Sequence, residues 1–118
     1  MRPRGPYLEL RMIDAQPGPD WIVPVAVAAA LLDHPAAAAA ADAALEPLWD
    51  TARADDLYRR AATAALRDGP LAAAALACFT AARDAQGDPA IAAAVDRFTE
   101  SFVARARTRA DDLVSRTA

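Results

Sequence analysis

Residues 7–13, Tyr7-Leu8-Glu9-Leu10-Arg11-Met12-Ile13, alternate with a period of two, the pattern of a half-buried β-strand. Tyr7, Glu9, Arg11 and Ile13 share one face of such a strand, and Leu8, Leu10 and Met12 the other. Pro3 and Pro6 bound the run before it, and the turn-rich stretch from Asp14 to Asp20 bounds it afterwards. The period then changes. Asp20 stands where an N-cap belongs, ahead of a helix expected from Trp21 to Leu32 with Pro24 tolerated in its first turn. Its run from Ile22 to Leu32 is the longest apolar stretch, too short to span a bilayer and read as a buried helix. Pro35 opens a second helix through the alanine run to about Leu45, and Pro47 sits early in a third running to about Leu66, as separate helices or one kinked element. Asp68-Gly69-Pro70 marks a break. A fourth helix is expected from Leu71 to about Gln86, stopped by Gly87. Asp88 caps and Pro89 opens a fifth, on which Ile91, Val95, Phe98 and Phe102 form one apolar seam. Thr108 to Asp111 has the form of a capping box with Asp in place of Glu, opening a short terminal helix.

The architecture read from this pattern is mainly α. A single segment, 1–118, divides into a strand and loop (1–19) and a bundle of five or six helices (20–118). A lone strand cannot satisfy its own ladder of N–H and C=O groups. Its partners are therefore expected from a missing N-terminal sheet or from another chain.

Composition narrows the picture. At 118 residues the chain has room for one modest core, and much of its 55% hydrophobic content is alanine, which favours helix but adds little core volume. Three Phe, two Tyr and two Trp are the only large aromatic side chains. Thirteen basic residues are scattered among sixteen acidic ones for a net charge of −3, so no basic stripe offers itself to nucleic acid. The single Cys78 excludes an internal disulfide and a multi-cysteine metal site. Without a signal-peptide pattern or a membrane span, a cytoplasmic location is expected.

Among candidate chemical groups, Glu9 and Arg11 are the sharpest. Two apart on a strand, they project from one face. Carboxylate oxygens suit Mg²⁺, and a planar guanidinium suits phosphate or carboxylate. The pair fits ATP-dependent activation of an acid, although the same spacing describes an ordinary charge pair on a solvated face. Asp14 reads as a turn former, His34 as a solvated or capping residue at a helix end, and Cys78 as a small buried side chain. Trp49 and Tyr58, with Leu45, Leu48 and Leu57, read as core. Asp55, Asp56, Arg59 and Arg60 are spaced for i,i+4 pairing. Arg105, Arg107, Arg109, Asp111 and Asp112 read as a solvated face.

The stretch Tyr7-Leu8-Glu9-Leu10-Arg11-Met12-Ile13-Asp14-Ala15-Gln16-Pro17 resembles the late strand of the glutamate–cysteine ligases of plants and actinobacteria. There a (Phe/Tyr)-Leu-Glu-x-Arg-x-x-Asp stretch precedes a Trp-containing helix. Trp21-Ile22-Val23-Pro24-Val25-Ala26-Val27 and Leu31-Leu32-Asp33-His34-Pro35 fit that helix and its end. Residues 103–113 resemble the family's C-terminal Gly-Arg-Cys-Pro-Ala-Asp-Asp segment, with Ala106, Thr108 and Arg109 standing for its Gly, Cys and Pro.

The resemblance implies the C-terminal part of a glutamine synthetase-like α+β ligase. In glutamine synthetase a similar Glu-x-Arg-x-x-Asp strand supplies a metal-binding glutamate and an arginine facing phosphate or substrate. By that likeness Glu9 is assigned to Mg²⁺, Arg11 to the phosphoryl group or glutamate as a catalytic residue, and Asp14 and Trp21 to structural roles. The implied substrates are glutamate, cysteine and ATP. The implied product is γ-glutamylcysteine, formed through γ-glutamyl phosphate, for ergothioneine or glutathione biosynthesis. Family members are several times longer, so the chain is expected to be a fragment or degenerate copy that is inactive alone. The alternative expectation is a non-catalytic helical binding module whose exposed strand pairs with a partner's sheet.

Overall fold

The computed structural model describes the backbone of residues 2–4, 7–11 and 13–117 and the side chains of 9–11 and 13–114. Its described part is mainly helical. Two three-residue strands, β1 (Arg2–Arg4) and β2 (Tyr7–Glu9), pair antiparallel, with Arg2 opposite Glu9 and Arg4 opposite Tyr7. Six α-helices follow: α1 (Ile22–Asp33), α2 (Pro35–Thr51), α3 (Ala54–Thr63), α4 (Gly69–Asp84), α5 (Pro89–Ser101) and α6 (Arg109–Thr117). Short 3₁₀ turns occupy Gly18–Trp21, Ala65–Arg67 and Val103–Arg105.

A seven-residue strand from Tyr7 to Ile13 is not present: β2 ends at Glu9, and Leu10, Arg11 and Ile13 have no regular structure. Among the described residues the antiparallel pairing covers Arg2–Arg4 against Tyr7–Glu9 and does not reach Arg11. The faces expected for Tyr7, Leu8 and Met12 lie outside the described side chains.

The bundle is built on α1, α2, α4 and α5. Val23, Ala26, Val27 and Ala30 of α1 meet Ala82 of α4 and Ala94 and Val95 of α5, with Val23, Ala82 and Val95 wholly buried. Small side chains let these helices approach closely, so packing replaces side-chain bulk. A second cluster joins Leu48, Leu57 and Ala74 beneath α2, α3 and α4. The expected seam on α5 is present: Val95 and Phe102 are buried, and Ile91 and Phe98 pack against the core.

Caps set most of the helix boundaries. Asp88 Oδ1 accepts from the N–H groups of Ala90 (2.7 Å) and Ile91 (3.2 Å), and Pro89 follows at N1. Asp68 caps α4 through the Leu71 N–H (3.2 Å). Its carboxylate also takes two bonds from Arg60, at 2.7 and 2.8 Å. This forked contact holds Asp68 below the usual carboxylate range, chiefly through the Arg60 hydrogen bonds and, after opposition from desolvation, through the Leu71 N–H.

Several expectations are corrected. Asp20 caps nothing; it lies in the Gly18–Trp21 turn and pairs with Arg109. α1 buries one face only, leaving Trp21, Val25 and Leu32 exposed. α2 runs through Pro47, and the break falls at Ala52 and Arg53, both extended. Pro47 removes one backbone bond late in a 17-residue helix, where four residues remain to be closed. Trp49 and Tyr58 lie on the surface at 51% and 66% exposure, leaving Leu48 and Leu57 as the buried pair. Arg59 pairs with Asp56 at i,i+3, while Arg60 turns to Asp68.

Candidate functional site

Glu9 closes β2, and Arg11 follows two residues later in a stretch without regular structure. Their side chains do meet: Arg11 Nε lies 3.9 Å from Glu9 Oε1, with 62% and 35% of the respective side chains exposed. At that separation and exposure the mutual attraction is weak. Acid and base therefore stand together, within reach of solvent.

Among the described residues no group of three or more His, Cys, Asp or Glu side chains comes together to hold a metal. Mg²⁺ keeps several waters and binds through one or two carboxylates plus phosphate oxygens. Glu9 fits as a single ligand of such a site, whereas these residues offer no complete cage. Arg11 fits as the fork for a phosphoryl or carboxylate group.

Downstream, Asp14 lies exposed in the loop, and its backbone carbonyl accepts from Gln16 Nε2 at 3.2 Å. Gln16 Oε1 is buried and has no hydrogen-bond partner among the described residues. Trp21 ends the 3₁₀ turn and is 58% exposed. The loop forms one wall of a cleft of about 680 Å³, whose floor includes Phe79, Phe98 and Phe102. The opposite wall is Arg107, Thr108, Arg109 and Leu113.

The two ends of the chain therefore meet, and Arg109 Nη1 to Asp20 Oδ2 (2.9 Å) fastens them. These are the two stretches that carry the resemblance, nearly a chain length apart. The spacing of Glu9 and Arg11 does not reveal this cleft, because the pattern along the chain does not show that the 14–17 loop and residues 107–109 meet in the fold.

The profile of glutamate-cysteine ligase family 2 (GCS2) matches residues 1–112. The chain belongs to that family. No curated protein and no solved structure matches it. Membership of the GCS2 family makes this a ligase-type chain, and the match runs through the strand, the whole bundle and the start of α6.

Two local features fit the substitutions noted in the C-terminal resemblance. Ala106, where the resemblance places Gly, has φ 52° and ψ 39°, a left-handed conformation that glycine adopts without a Cβ penalty. Arg109, where it places Pro, is the first residue of α6, a position where proline is favoured. The substituted Arg109 instead reaches Asp20 and lies over Phe102, 5.2 Å from the ring centroid. Thr108 and Asp111 form half of the expected box: Asp111 Oδ2 accepts from the Thr108 N–H (2.7 Å) and hydroxyl (2.9 Å), while the Asp111 N–H goes to the Thr108 carbonyl at 3.2 Å. The backbone N–H of Thr108 is the main cause of the lowered Asp111 pKa, followed by the Thr108 hydroxyl. On this partly exposed face Arg107 holds Asp112 at 2.6 Å and Asp111 takes Arg67 at 3.2 Å.

The remaining candidates carry no site. His34 is exposed and makes no side-chain cap bond. Partial burial pushes the Cys78 thiol above its ordinary pKa, away from the thiolate a nucleophile needs. No single helix among the described residues is long and apolar enough to cross a membrane.

Proposed function

We propose that this chain supplies part of the active site of a glutamate–cysteine ligase, forming γ-glutamylcysteine from glutamate, cysteine and ATP. The observation that carries the reading is the 3.9 Å approach of Glu9 and Arg11 within a chain matched to the family over residues 1–112. In this reading Glu9 is one ligand of Mg²⁺, which supplies charge neutralisation to the phosphates when bound. Arg11 holds the phosphoryl group or the glutamate carboxylate, where charge develops during transfer to the γ-carboxyl oxygen. The cysteine amine then attacks the γ-glutamyl phosphate and displaces phosphate. Water must be kept from that acyl phosphate, and the exposure of both side chains means the rest of the enclosure comes from outside these residues.

A sheet running beyond β2, with a strand opposite Arg11, would supply that enclosure. The isolated 118 residues are accordingly inactive, and the product feeds ergothioneine or glutathione synthesis in the cytoplasm. In the assembled ligase, Glu9→Ala and Arg11→Ala each reduce γ-glutamylcysteine formation by about a thousandfold while leaving the circular dichroism melt unchanged. Retention of activity by both variants would remove the proposed roles.

A further inference from the structure

The cleft of about 680 Å³ falls within the size range of small-molecule sites. Its floor is aromatic: the Phe79 and Phe98 rings stack at 5.9 Å, and those of Phe98 and Phe102 meet at 4.9 Å. Phe79 and Phe98 are only half-buried, so ring surface remains for a flat apolar group to cover. Much of the polar wall is already engaged. Arg109 pairs with Asp20 and lies over Phe102, and the Thr108 hydroxyl donates to Asp111. Two groups on opposite walls keep capacity. Gln16 spends Nε2 on the Asp14 carbonyl at 3.2 Å, while its buried Oε1 has no hydrogen-bond partner among the described residues. An acceptor buried without a donor is destabilising, and a ligand N–H that reaches it offsets that cost. Arg107 gives one N–H to Asp112 Oδ1 at 2.6 Å, and its guanidinium carries further donors. Asp14, exposed on the same wall as Gln16, favours a cationic N–H over a neutral one.

We propose that this cleft binds a small aromatic carboxylate carrying an N–H donor, of which an aromatic amino acid is the simplest example. The ring lies on the phenylalanine floor, the N–H donates to Gln16 Oε1, and the carboxylate accepts from Arg107. Each part of the ligand meets a different part of the fold: α4 and α5, the 14–17 loop, and the turn before α6. The site exists only where the two ends of the chain meet. Recognition depends on these residues alone and not on the proposed reaction.

Titration of the isotope-labelled full chain with L-phenylalanine, followed by two-dimensional NMR, tests it. The expected dissociation constant is on the order of 1 mM, with shifts concentrated at residues 14–17 and 107–109 and at the Gln16 side-chain amide. L-Phenylalaninamide lacks the carboxylate and phenylpropionate lacks the N–H; each should bind about tenfold more weakly. Gln16→Leu should weaken L-phenylalanine about tenfold and leave phenylpropionate unchanged. Arg107→Gln should weaken L-phenylalanine about tenfold and leave L-phenylalaninamide unchanged. Asp112→Asn breaks the Arg107 pair but keeps the guanidinium, and should retain binding. Should Arg107→Gln fold poorly, the Gln16 comparison decides. Shifts confined to other surfaces, equal affinity for all the compounds, or unchanged L-phenylalanine binding in Gln16→Leu (the result if water satisfies Oε1) would overturn the proposal.

Discussion

The α1–α4–α5 core and the edge that holds Glu9 and Arg11 are opposites in construction. In the core, Val23, Ala82 and Val95 have no exposed surface, and none of the described polar or charged residues is classed as buried. At the edge, a carboxylate and a guanidinium face each other loosely at 3.9 Å, more than half of the arginine in water. The core can be stable on its own contacts. On the proposed reading, the edge has the chemical groups for phosphoryl transfer without the enclosure it needs. Stability and chemistry therefore reside in different places, and substitutions in the two regions should separate them.

The largest effect belongs to the core. Val95→Asp places an unpaired carboxylate at a position with no exposed surface, and should cost more than about 4 kcal/mol, read as loss of the cooperative urea transition. A transition within about 1 kcal/mol of the parent would mean that this cluster does not hold the bundle together.

Much of that core was legible. The seam Ile91, Val95, Phe98 and Phe102, the Asp88–Pro89 start and the Asp68–Gly69–Pro70 break all rest on local rules of period and capping, and the structure contains them. The misreadings share a different cause. Asp20 has the chemistry of a cap, but its carboxylate goes to Arg109, which only the folded chain brings near. Trp49 and Tyr58 are large and apolar enough for a core, yet alanine packing of α2 on α4 leaves no room that needs them. Strand length depends on a partner, and the register with Arg2–Arg4 ends before Arg11. The acid–base proximity was readable from spacing alone, whereas the cleft shared by the two chain ends was not.

Smaller effects test the edges. Ala106→Gly relieves the left-handed alanine at φ 52° and should stabilise the fold by about 0.5–1 kcal/mol, seen as a raised urea midpoint. An unchanged or lowered midpoint would mean that Ala106 carries no penalty in this turn.

The smallest effect is expected in acid. The Asp68 pKa is lowered in the folded state, first by the Arg60 hydrogen bonds. A depressed folded pKa contributes stability that is fully present above the ordinary carboxylate value of about 4 and declines as pH falls below it. Asp68→Asn should therefore shallow the loss of stability below that pH and leave less difference between neutral and acidic melts. An equally steep acid limb in the variant would assign the acid sensitivity elsewhere, for example to Asp111, which is lowered by Thr108.

The central claim is that Glu9 and Arg11 divide the work of one site. The direct measurement is γ-glutamylcysteine formation by the assembled ligase, titrated separately with Mg²⁺ and with glutamate, for Glu9→Gln and Arg11→Lys. The account predicts that Glu9→Gln raises the Mg²⁺ needed for half-maximal rate by about ten- to a hundredfold with little change in the glutamate requirement. Arg11→Lys should lower turnover or weaken glutamate binding at unchanged Mg²⁺ dependence. Identical Mg²⁺ and glutamate titrations for both variants and the parent would contradict it.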